Sequence, residues 1–423
     1  ARHALEWRDR TGCLQRVGMR LLAVLLLCVI GLSASAAKIR TTSDPLPHDA
    51  YVWQRAWTPA VVDAVHRSAD IVRSWRVLLA EGDRSGGWTS VAIPWHDLVA
   101  AGRPVVGVIR IDGRLDEGRM PALLDKVVAT ASAAMRSAGP AGLAGIEIDY
   151  DCPTSKLATY TTFLAALRER LPATVALSIT ALPTWLGSAA LGALVTPLSE
   201  VVLQVHAVDD PRRGLFDPEQ AERWVREFGQ RVGRPFRVAL PAYDVRVTWR
   251  PGGGLASVES EVPLLSGSGG ELLDSRPSVL RQFLEALDRS APTGLVGIVW
   301  FRLPVSTDRR AWSLETWRAV IAGRPTAGHA QALLVPSGQP DLWNVVLAND
   351  GAVDVGLPRR IPLDPSCKMA DGANGFRLVS EKIDDRDGLV LEGAGRGRLK
   401  PWTRRTIGWA RCAGPERQLH VVE

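Results

Sequence analysis

The stretch AGIEIDYDCP, residues 144–153, places three acidic residues at alternate positions: Glu147, Asp149 and Asp151. The residues just before them, 142–146, are apolar or small, as in a buried β-strand. Successive side chains of a strand point to opposite faces, so the three carboxylates are predicted to share one face. The sequence therefore predicts a buried strand that delivers three carboxylates to one place.

This strand is the fourth of eight short apolar runs that alternate with amphipathic, helix-like segments. Eight strand and helix pairs in about 275 residues predict a (β/α)8 TIM barrel, which we assign to residues 38–325. The segment 82–102 fits poorly as a single helix. The predicted strands are 50–56, 71–79, 105–112, 145–151, 175–181, 200–206, 236–243 and 294–301.

Polar residues of one parity recur near the C-terminal ends of five of these runs. A barrel whose site lies at its C-terminal mouth would gather all of them in one pocket. The alternative is that one or two of the sets face the helices or solvent. The sets are Arg110 and Asp112; Glu147, Asp149 and Asp151; Ser178 and Thr180; Gln204 and His206; and Trp300 and Arg302.

After residue 325 the helical pattern stops, and short strands with turn signals predict a β-sandwich-like domain at 326–423. Cys367 and Cys412 both lie in this segment and are the natural disulfide pair. Cys152 is expected to be a packed thiol rather than a nucleophile. The Gly- and Ser-rich connection 244–274 either borders the site or is a flexible insertion.

Composition and the N-terminal residues indicate an exported globular protein. The chain has 423 residues, 46% of them hydrophobic, and a formal net charge of +6. Residues 1–37 hold five arginines and two acids, so about +3 remains elsewhere with no long basic run, which argues against nucleic-acid binding. Met19 and Arg20 precede an apolar run at 21–32 and the small residues SASAAK. Residues 1–37 are thus predicted to be an upstream extension and a signal peptide, with a buried N-terminal helix as the alternative.

We accordingly expect a periplasmic or extracellular protein with no stable membrane span after signal cleavage, because the apolar run is short. No metal is expected at His206, since no second histidine sits at ligand spacing and no HExxH motif is present. No cofactor is expected either. The sequence does not indicate an oligomeric state.

The three carboxylates suggest a chemistry. At alternate positions their Cα atoms are about 6 to 7 Å apart, and crowding and burial in a barrel mouth oppose their ionisation. At least one is then expected to hold its proton near neutral pH. A protonated carboxyl beside an ionised one can cleave a glycosidic bond, because one donates to the leaving oxygen and the other stabilises positive charge on the sugar.

The segment LAGIEIDYDCP, residues 143–153, resembles the fourth-strand signature of the chitinase-like glycoside hydrolase family 18, Asp-Gly-x-Asp-x-Asp-x-Glu. Gly145 matches the glycine. Glu147 and Asp149 stand at the two inward aspartates, and Asp151 stands at the catalytic glutamate. The resemblance implies Asp151 as the acid, with Asp149 and Glu147 completing the catalytic set.

Other strands resemble that family in position more than in identity. Gln204, Val205 and His206 replace its Met-x-Tyr, and Trp300 in GIVWF takes the place of its tryptophan on strand eight. Asp151 is one methylene shorter than the family's glutamate, and a misplacement of about 1 Å can cost on the order of 100-fold in rate. Chitinase activity as such is therefore not expected.

A narrower resemblance is to the bacterial family called domain of unknown function 3142. It rests on YVWQRAW (51–57), IEIDYDCPT (146–154), ITALPTW (179–185) and VLQVHA (202–207). It implies a chitinase-like barrel in a secreted protein and supplies no activity.

Three functions remain open. The first is a glycosidase acting on a bacterial or environmental polysaccharide, with Asp151 as acid and Asp149 as its electrostatic partner. The second is a barrel that binds a glycan of the cell envelope or exopolysaccharide machinery without cleaving it. The third pairs Asp151 with Asp112 or Asp244. The candidate substrate-binding residues are Trp53, Arg110, Asp112, Gln204, His206, Tyr243, Asp244 and Trp300.

Overall fold

Eight parallel strands close into a barrel, which confirms the predicted fold class. The strands are β1 (His48–Val52), β2 (Ser74–Gly82), β4 (Val105–Ile111), β5 (Leu143–Tyr150), β6 (Ala176–Ala181), β7 (Glu200–Gln204), β8 (Phe236–Pro241) and β12 (Leu295–Phe301). Their hydrogen-bonded order is β1-β12-β8-β7-β6-β5-β4-β2, and β1 pairs with β2 to close the ring. A short strand, β3 (Trp88–Ser90), pairs antiparallel with the end of β2.

This computed structural model describes residues 45–113, 115–116, 118–139, 142–206, 214–250, 254–259, 270–383, 386–394, 397–415 and 417–422. The predicted upstream extension and signal peptide, residues 1–37, lie outside these described residues. None of the described helices combines the length and the apolarity that a membrane crossing requires.

Helices surround the barrel and bury one face each against its outer surface. They are α1 (Pro59–Ser68), α2 (Trp95–Ala100), α3 (Met120–Ala138), α4 (Leu157–Arg170), α5 (Leu191–Val195), α6 (Pro218–Val232), α7 (Pro277–Arg289) and α8 (Leu314–Ile321). Helix α6 shows how local sequence sets the bounds. The Asp217 side chain accepts hydrogen bonds from two backbone N–H groups of the first turn, and Gly233 ends the helix at φ 59°.

The segment 82–102, which fits poorly as one helix, contains the end of β2, then β3 and the short helix α2. The connection 244–274 also differs from a plain loop. It holds β9 (Val245–Arg250), β10 (Gly254–Glu259) and β11 (Glu271–Leu273), which form an antiparallel sheet. These strands form because Val245, Val247 and Leu273 are buried in a cluster with Tyr243 and Ala311.

The C-terminal β region consists of antiparallel sheets. Its strands are β13 (Gln331–Pro336), β14 (Leu342–Asn349), β15 (Val355–Gly356), β16 (Arg360–Pro362), β17 (Cys367–Gly372), β18 (Phe376–Ile383), β19 (Arg386–Gly393), β20 (Arg398–Leu399), β21 (Thr403–Cys412) and β22 (Gln418–Leu419). The sheet β17-β21-β14-β13-β22 and the sheet β16-β19-β18 share one hydrophobic core, as in a sandwich. The predicted disulfide joins Cys367 of β17 to Cys412 of β21.

The C-terminal β region contacts the loops at the C-terminal ends of β8 and β12. The backbone N–H of Ser313, at the start of α8, donates to Asp354 at 2.8 Å. Lys400 donates to the backbone carbonyl of Asp308 at 2.7 Å. Because active sites of such barrels lie at the C-terminal ends of the strands, this region borders the end where a site is expected.

Candidate active site

The barrel interior is built in layers by every second residue of each strand. Strand β5 sends Glu147 and Asp149 inward, and Ile146, Ile148 and Tyr150 outward into the core beneath the helices. Asp151 follows directly after the last residue of β5. The predicted common face of the acidic residues therefore runs from the barrel interior to its mouth.

Glu147 lies in a sealed ionic network below the mouth and is 0% exposed. Its carboxylate accepts a hydrogen bond from the Tyr51 hydroxyl at 2.6 Å and pairs with Arg76. Arg76 also pairs with Asp49, at 3.2 Å, and with Glu200. Burial raises the pKa of Glu147, whereas Arg76 and the Tyr51 hydroxyl act in the opposite direction. No substrate can reach this carboxyl, so the prediction that Glu147 is a catalytic residue is corrected to a structural role.

Asp149 and Asp151 are joined by one guanidinium at the mouth. Arg110 donates through Nη1 to Asp149 at 2.8 Å and through Nη2 to Asp151 at 2.7 Å. The second oxygen of Asp149 accepts from the Thr180 hydroxyl at 2.7 Å. The side chain of Asp149 is 6% exposed and that of Asp151 is 49% exposed. Asp151 is therefore accessible to solvent, whereas Asp149 lies almost fully buried beneath it.

The strand register explains this arrangement. Arg110 of β4 is the direct partner of Asp149 on β5, so the two inward side chains are neighbours. Burial raises the pKa of Asp149, the guanidinium of Arg110 lowers it, and the charge of Asp151 raises it again. The mouth thus holds a buried carboxyl with a raised pKa beside an exposed one.

Aromatic side chains form the opposite wall of the mouth. Phe301, the last residue of β12, packs against Trp53 with ring centroids 5.2 Å apart and against Tyr243 at 5.4 Å. His206 stacks on the same ring at 5.8 Å, and its Nδ1 lies 3.2 Å from the carbonyl oxygen of Ala239. Burial lowers the pKa of His206 to about 4, so its imidazole is neutral at physiological pH.

The remaining polar candidates lie nearer the rim. Gln204 is the partly buried last residue of β7, and it has the inward parity of Val202. Asp112 follows the end of β4, is 47% exposed and pairs with Arg84 at 3.3 Å. Both positions border the mouth.

Two segments of the chain match known protein families. Residues 101–306 match the family described as "Domain of unknown function (DUF3142)". This part of the chain is therefore similar to DUF3142. Residues 332–413, in the C-terminal β region, match a second family, "Domain of unknown function (DUF8456)". A comparison with curated proteins finds no match.

Solved structures similar to the chain include chitinases and a spore cortex-lytic enzyme. The spore cortex-lytic enzyme SleL of Bacillus cereus is 14% identical with a TM-score of 0.47, over 68% of this chain and 76% of that one. A chitinase of Chromobacterium violaceum is 13% identical with a TM-score of 0.46, over 66% of this chain and 98% of that one. Chitinase ChiA74 of Bacillus thuringiensis is 10% identical with a TM-score of 0.42, over 90% of this chain and 100% of that one.

The DUF3142 match includes β4 to β12, and therefore Arg110, Asp149, Asp151 and His206. Strand β1 and Trp53, which follows it, precede the matched residues. The mouth of the barrel is thus assembled from residues inside and outside the family match.

Two predicted site residues of the barrel lie elsewhere. Trp300 is 0% exposed and faces the helices, with its ring centroid 5.9 Å from that of Trp312. Its Nε1 donates to His48 Nδ1 at 3.0 Å, and the inward position of β12 belongs to Phe301. The prediction that Trp300 lines the sugar site is therefore wrong.

Asp244 is also outside the mouth. It is 4% exposed, accepts a hydrogen bond from the backbone N–H of Ser275 at 3.0 Å and pairs with Arg398 of the C-terminal β region. Burial raises the pKa of Asp244 to about 6. This position corrects the prediction that Asp244 contacts substrate, and it removes Asp244 as a partner of Asp151.

Sequence reasoning missed an ion pair at the rim. Glu81, near the end of β2, accepts two hydrogen bonds of 2.6 Å from Arg55. Its register partner on β4 is Arg110. Strand β2 has an irregular register between Leu78 and Ala80, which turns Glu81 inward, and no local motif announces such a bulge.

Other nucleophiles and ligand sets have no support at the mouth. Cys152 is a buried free thiol, and burial raises its pKa to about 11, which keeps it protonated. Among the described residues, no group of three or more His, Cys, Asp or Glu side chains is placed to hold a metal ion.

Proposed function

We propose that this chain is an exported glycoside-hydrolase-like protein that acts on a polysaccharide, with Asp151 as the acid and Asp149 as its partner. The observation that carries the proposal is the carboxyl pair joined by Arg110, in which Asp151 reaches solvent and Asp149 is buried beneath it. Pairs of carboxyls in unlike environments are what acid-assisted glycoside cleavage uses.

In this proposal Asp151 gives its proton to the glycosidic oxygen as the bond to the anomeric carbon breaks. Water adds to that carbon and returns a proton to the carboxylate. Arg110 must break its hydrogen bond to Asp151 before Asp151 can donate a proton to the sugar. The hydrogen bond from Arg110 to Asp149 keeps the guanidinium in place during this step. Arg110 stays paired with Asp149 and lowers its pKa against the effect of burial, so the Asp149 carboxylate can stabilise the positive charge that develops on the sugar.

The opposite wall of the mouth suits a sugar. In this wall Trp53 and Tyr243 are buried and Phe301 is partly exposed, so the ring of Phe301 is the surface on which the apolar face of a sugar can pack. Gln204 and Asp112 supply hydrogen-bonding groups at the rim. The disulfide between Cys367 and Cys412 supports export, since such bonds persist in oxidising compartments.

The clamp on the two carboxylates favours a second candidate function, a barrel that binds a glycan without cleaving it. Arg110 already engages both Asp149 and Asp151, so the acid is occupied unless substrate displaces the guanidinium. In that case the mouth would serve recognition only, within the cell envelope or the exopolysaccharide machinery.

The test measures release of reducing ends from a panel of bacterial and plant polysaccharides. Asp151→Asn should lower the rate by about 100-fold or more, because a positioned general acid contributes about that much. The control is Asp63→Asn, an exposed carboxylate on α1 that pairs with Arg67. The variants should share the unfolding midpoint of the wild type.

Two other outcomes would replace the proposal. If the wild type releases nothing from any polysaccharide but binds one of them by calorimetry, the binding function takes its place. If Asp112→Asn abolishes an activity that survives Asp151→Asn, the acid has been assigned to the wrong residue.

A further inference from the structure

A partly open cavity of about 910 Å³ lies between the barrel and the C-terminal β region. Its volume is in the range of ligand pockets, roughly 300 to 1,000 Å³. The described residues that line it include seven arginines and one acidic residue, Asp308. The arginines are Arg55, Arg246, Arg302, Arg309 and Arg310 of the barrel, and Arg398 and Arg405 of the C-terminal β region.

Ion pairs within the protein compensate only part of this charge. In the described part of the chain, no carboxylate pairs with Arg246, Arg309 or Arg405, and the last donates instead to the carbonyl oxygen of Asn374. Three positive charges without a carboxylate partner repel each other around this cavity and attract anions. Among the other arginines of the cavity, Arg55 pairs with Glu81, Arg302 with Asp308, and Arg398 with Asp244.

The cavity borders the mouth of the barrel. Trp53 of the aromatic wall is followed directly by Gln54, which lines the cavity. Phe301 of the same wall is followed directly by Arg302, which also lines it. Arg55 of the cavity also pairs with Glu81, the register partner of Arg110, so the cavity lies beside the mouth.

We propose that this cavity binds the acidic sugars of a polysaccharide whose chain extends from the mouth, so that the substrate class is a carboxylate-bearing polysaccharide. This inference rests on the proposed function. The guanidinium group matches a carboxylate with two parallel hydrogen bonds, which makes several arginines a selective site for uronic acids. A neutral polysaccharide of the same length has no anions to pair with these arginines and should bind more weakly.

The test is calorimetric binding of three hexamers at low salt: hexagalacturonate, hexamannuronate and the neutral cellohexaose. At least one acidic hexamer should bind the wild type about tenfold or more tightly than cellohexaose. Arg246→Gln/Arg309→Gln should weaken that binding by about tenfold, since each charge-assisted hydrogen bond contributes measurably. Higher ionic strength should also weaken it.

The control variant is Arg170→Gln/Arg231→Gln, which removes the same charge from the last turns of α4 and α6, outside the cavity. It should bind the acidic hexamer as the wild type does. If neither acidic hexamer binds more tightly than cellohexaose, or if both double variants lose affinity equally, the inference is overturned. Equally tight binding of hexathymidylate would overturn the assignment to a saccharide.

This readout separates the inference from the proposed function. Binding of an acidic hexamer that depends on Arg246 and Arg309, with no cleavage of any polysaccharide, would support the cavity and refute the hydrolase. Cleavage of a neutral polysaccharide that depends on Asp151, with no preference for acidic hexamers, would do the reverse.

Discussion

Replacing Arg110 by methionine tests the electrostatics of the mouth. The substitution keeps much of the side-chain volume and removes the cation that joins Asp149 to Asp151. It leaves a carboxylate that is 6% exposed beside another that is 49% exposed. Breaking a buried pair by removing one partner costs about 3 to 5 kcal/mol, whereas an exposed pair contributes at most about 1 kcal/mol. Because Arg110 itself is 25% exposed, we expect a loss of about 3 kcal/mol at pH 7.5.

The loss should depend on pH in a defined direction. Arg110 is the main group that lowers the pKa of Asp149 against the effect of burial, so its removal raises that pKa further. An acid whose folded-state pKa lies above its unfolded value loses stability as pH rises through the folded pKa. Arg110→Met should therefore lose the full amount, about 3 kcal/mol of the free energy of unfolding, at pH 7.5. At pH 4.5, where Asp149 can be protonated, it should lose only about 1 kcal/mol.

A double-mutant cycle gives the decisive measurement. Free energies of unfolding in urea would be compared for the wild type, Arg110→Met, Asp149→Asn and the double variant at both pH values. The coupling between the two positions should be about 2 kcal/mol at pH 7.5 and close to zero at pH 4.5. Equal losses at the two pH values, or additive effects at pH 7.5, would refute the reasoning.

Three further predictions concern the scaffold. Gly297→Ala should cost about 2 to 3 kcal/mol in urea unfolding, because the new Cβ would lie 2.1 Å from a guanidinium nitrogen and 2.7 Å from a carbonyl oxygen. Gly187→Ala, with no atom within 4 Å of its Cβ, is the control, and equal effects would contradict this explanation. The pKa of His206 is lowered to about 4, so the unfolded state binds a proton more readily than the folded state. The free energy of unfolding of the wild type should therefore fall by about 3 kcal/mol from pH 6.5 to pH 4, and His206→Phe should remove this decrease. Replacing Cys367 and Cys412 by alanine opens a loop with a sequence separation of 45, so the C-terminal β region should lose about 4 kcal/mol; an unchanged unfolding curve would argue against it.

The barrel could be predicted because its strands are buried on both faces and appear as short apolar runs. Because both faces of these strands are apolar, the alternation of residues often does not show which side chains point into the barrel. In β5 the acidic residues mark the inward phase, and Glu147 and Asp149 do point inward. In β12 both Trp300 and Phe301 are aromatic, so the sequence does not show which of the two points into the barrel. Parity favours Trp300, but the inward residue is Phe301.

Backbone irregularities and domain contacts also escaped prediction, for physical reasons. The bulge in β2 brings Glu81 to the mouth. The apolar run predicted for this strand ends at residue 79, so the sequence gives no sign that Glu81 belongs to the strand. Asp244 follows a strand end, as a catalytic residue would, but the C-terminal β region supplies Arg398 to cover it. Both outcomes depend on contacts between segments far apart in sequence, which local periodicity does not contain.

The clamp at the mouth follows from register rather than from any motif. Adjacent parallel strands lie about 4.8 Å apart, so the inward side chains of Arg110 and Asp149, which are register partners, must be neighbours. A pattern of alternating acids can therefore produce either a poised acid or a neutralised cluster, depending on one residue of the next strand. For this barrel the distinction depends on whether substrate can separate Arg110 from Asp151. The exposed position of Asp151 makes that separation cheaper than breaking the buried bond to Asp149, because exposed ion pairs contribute less than buried ones.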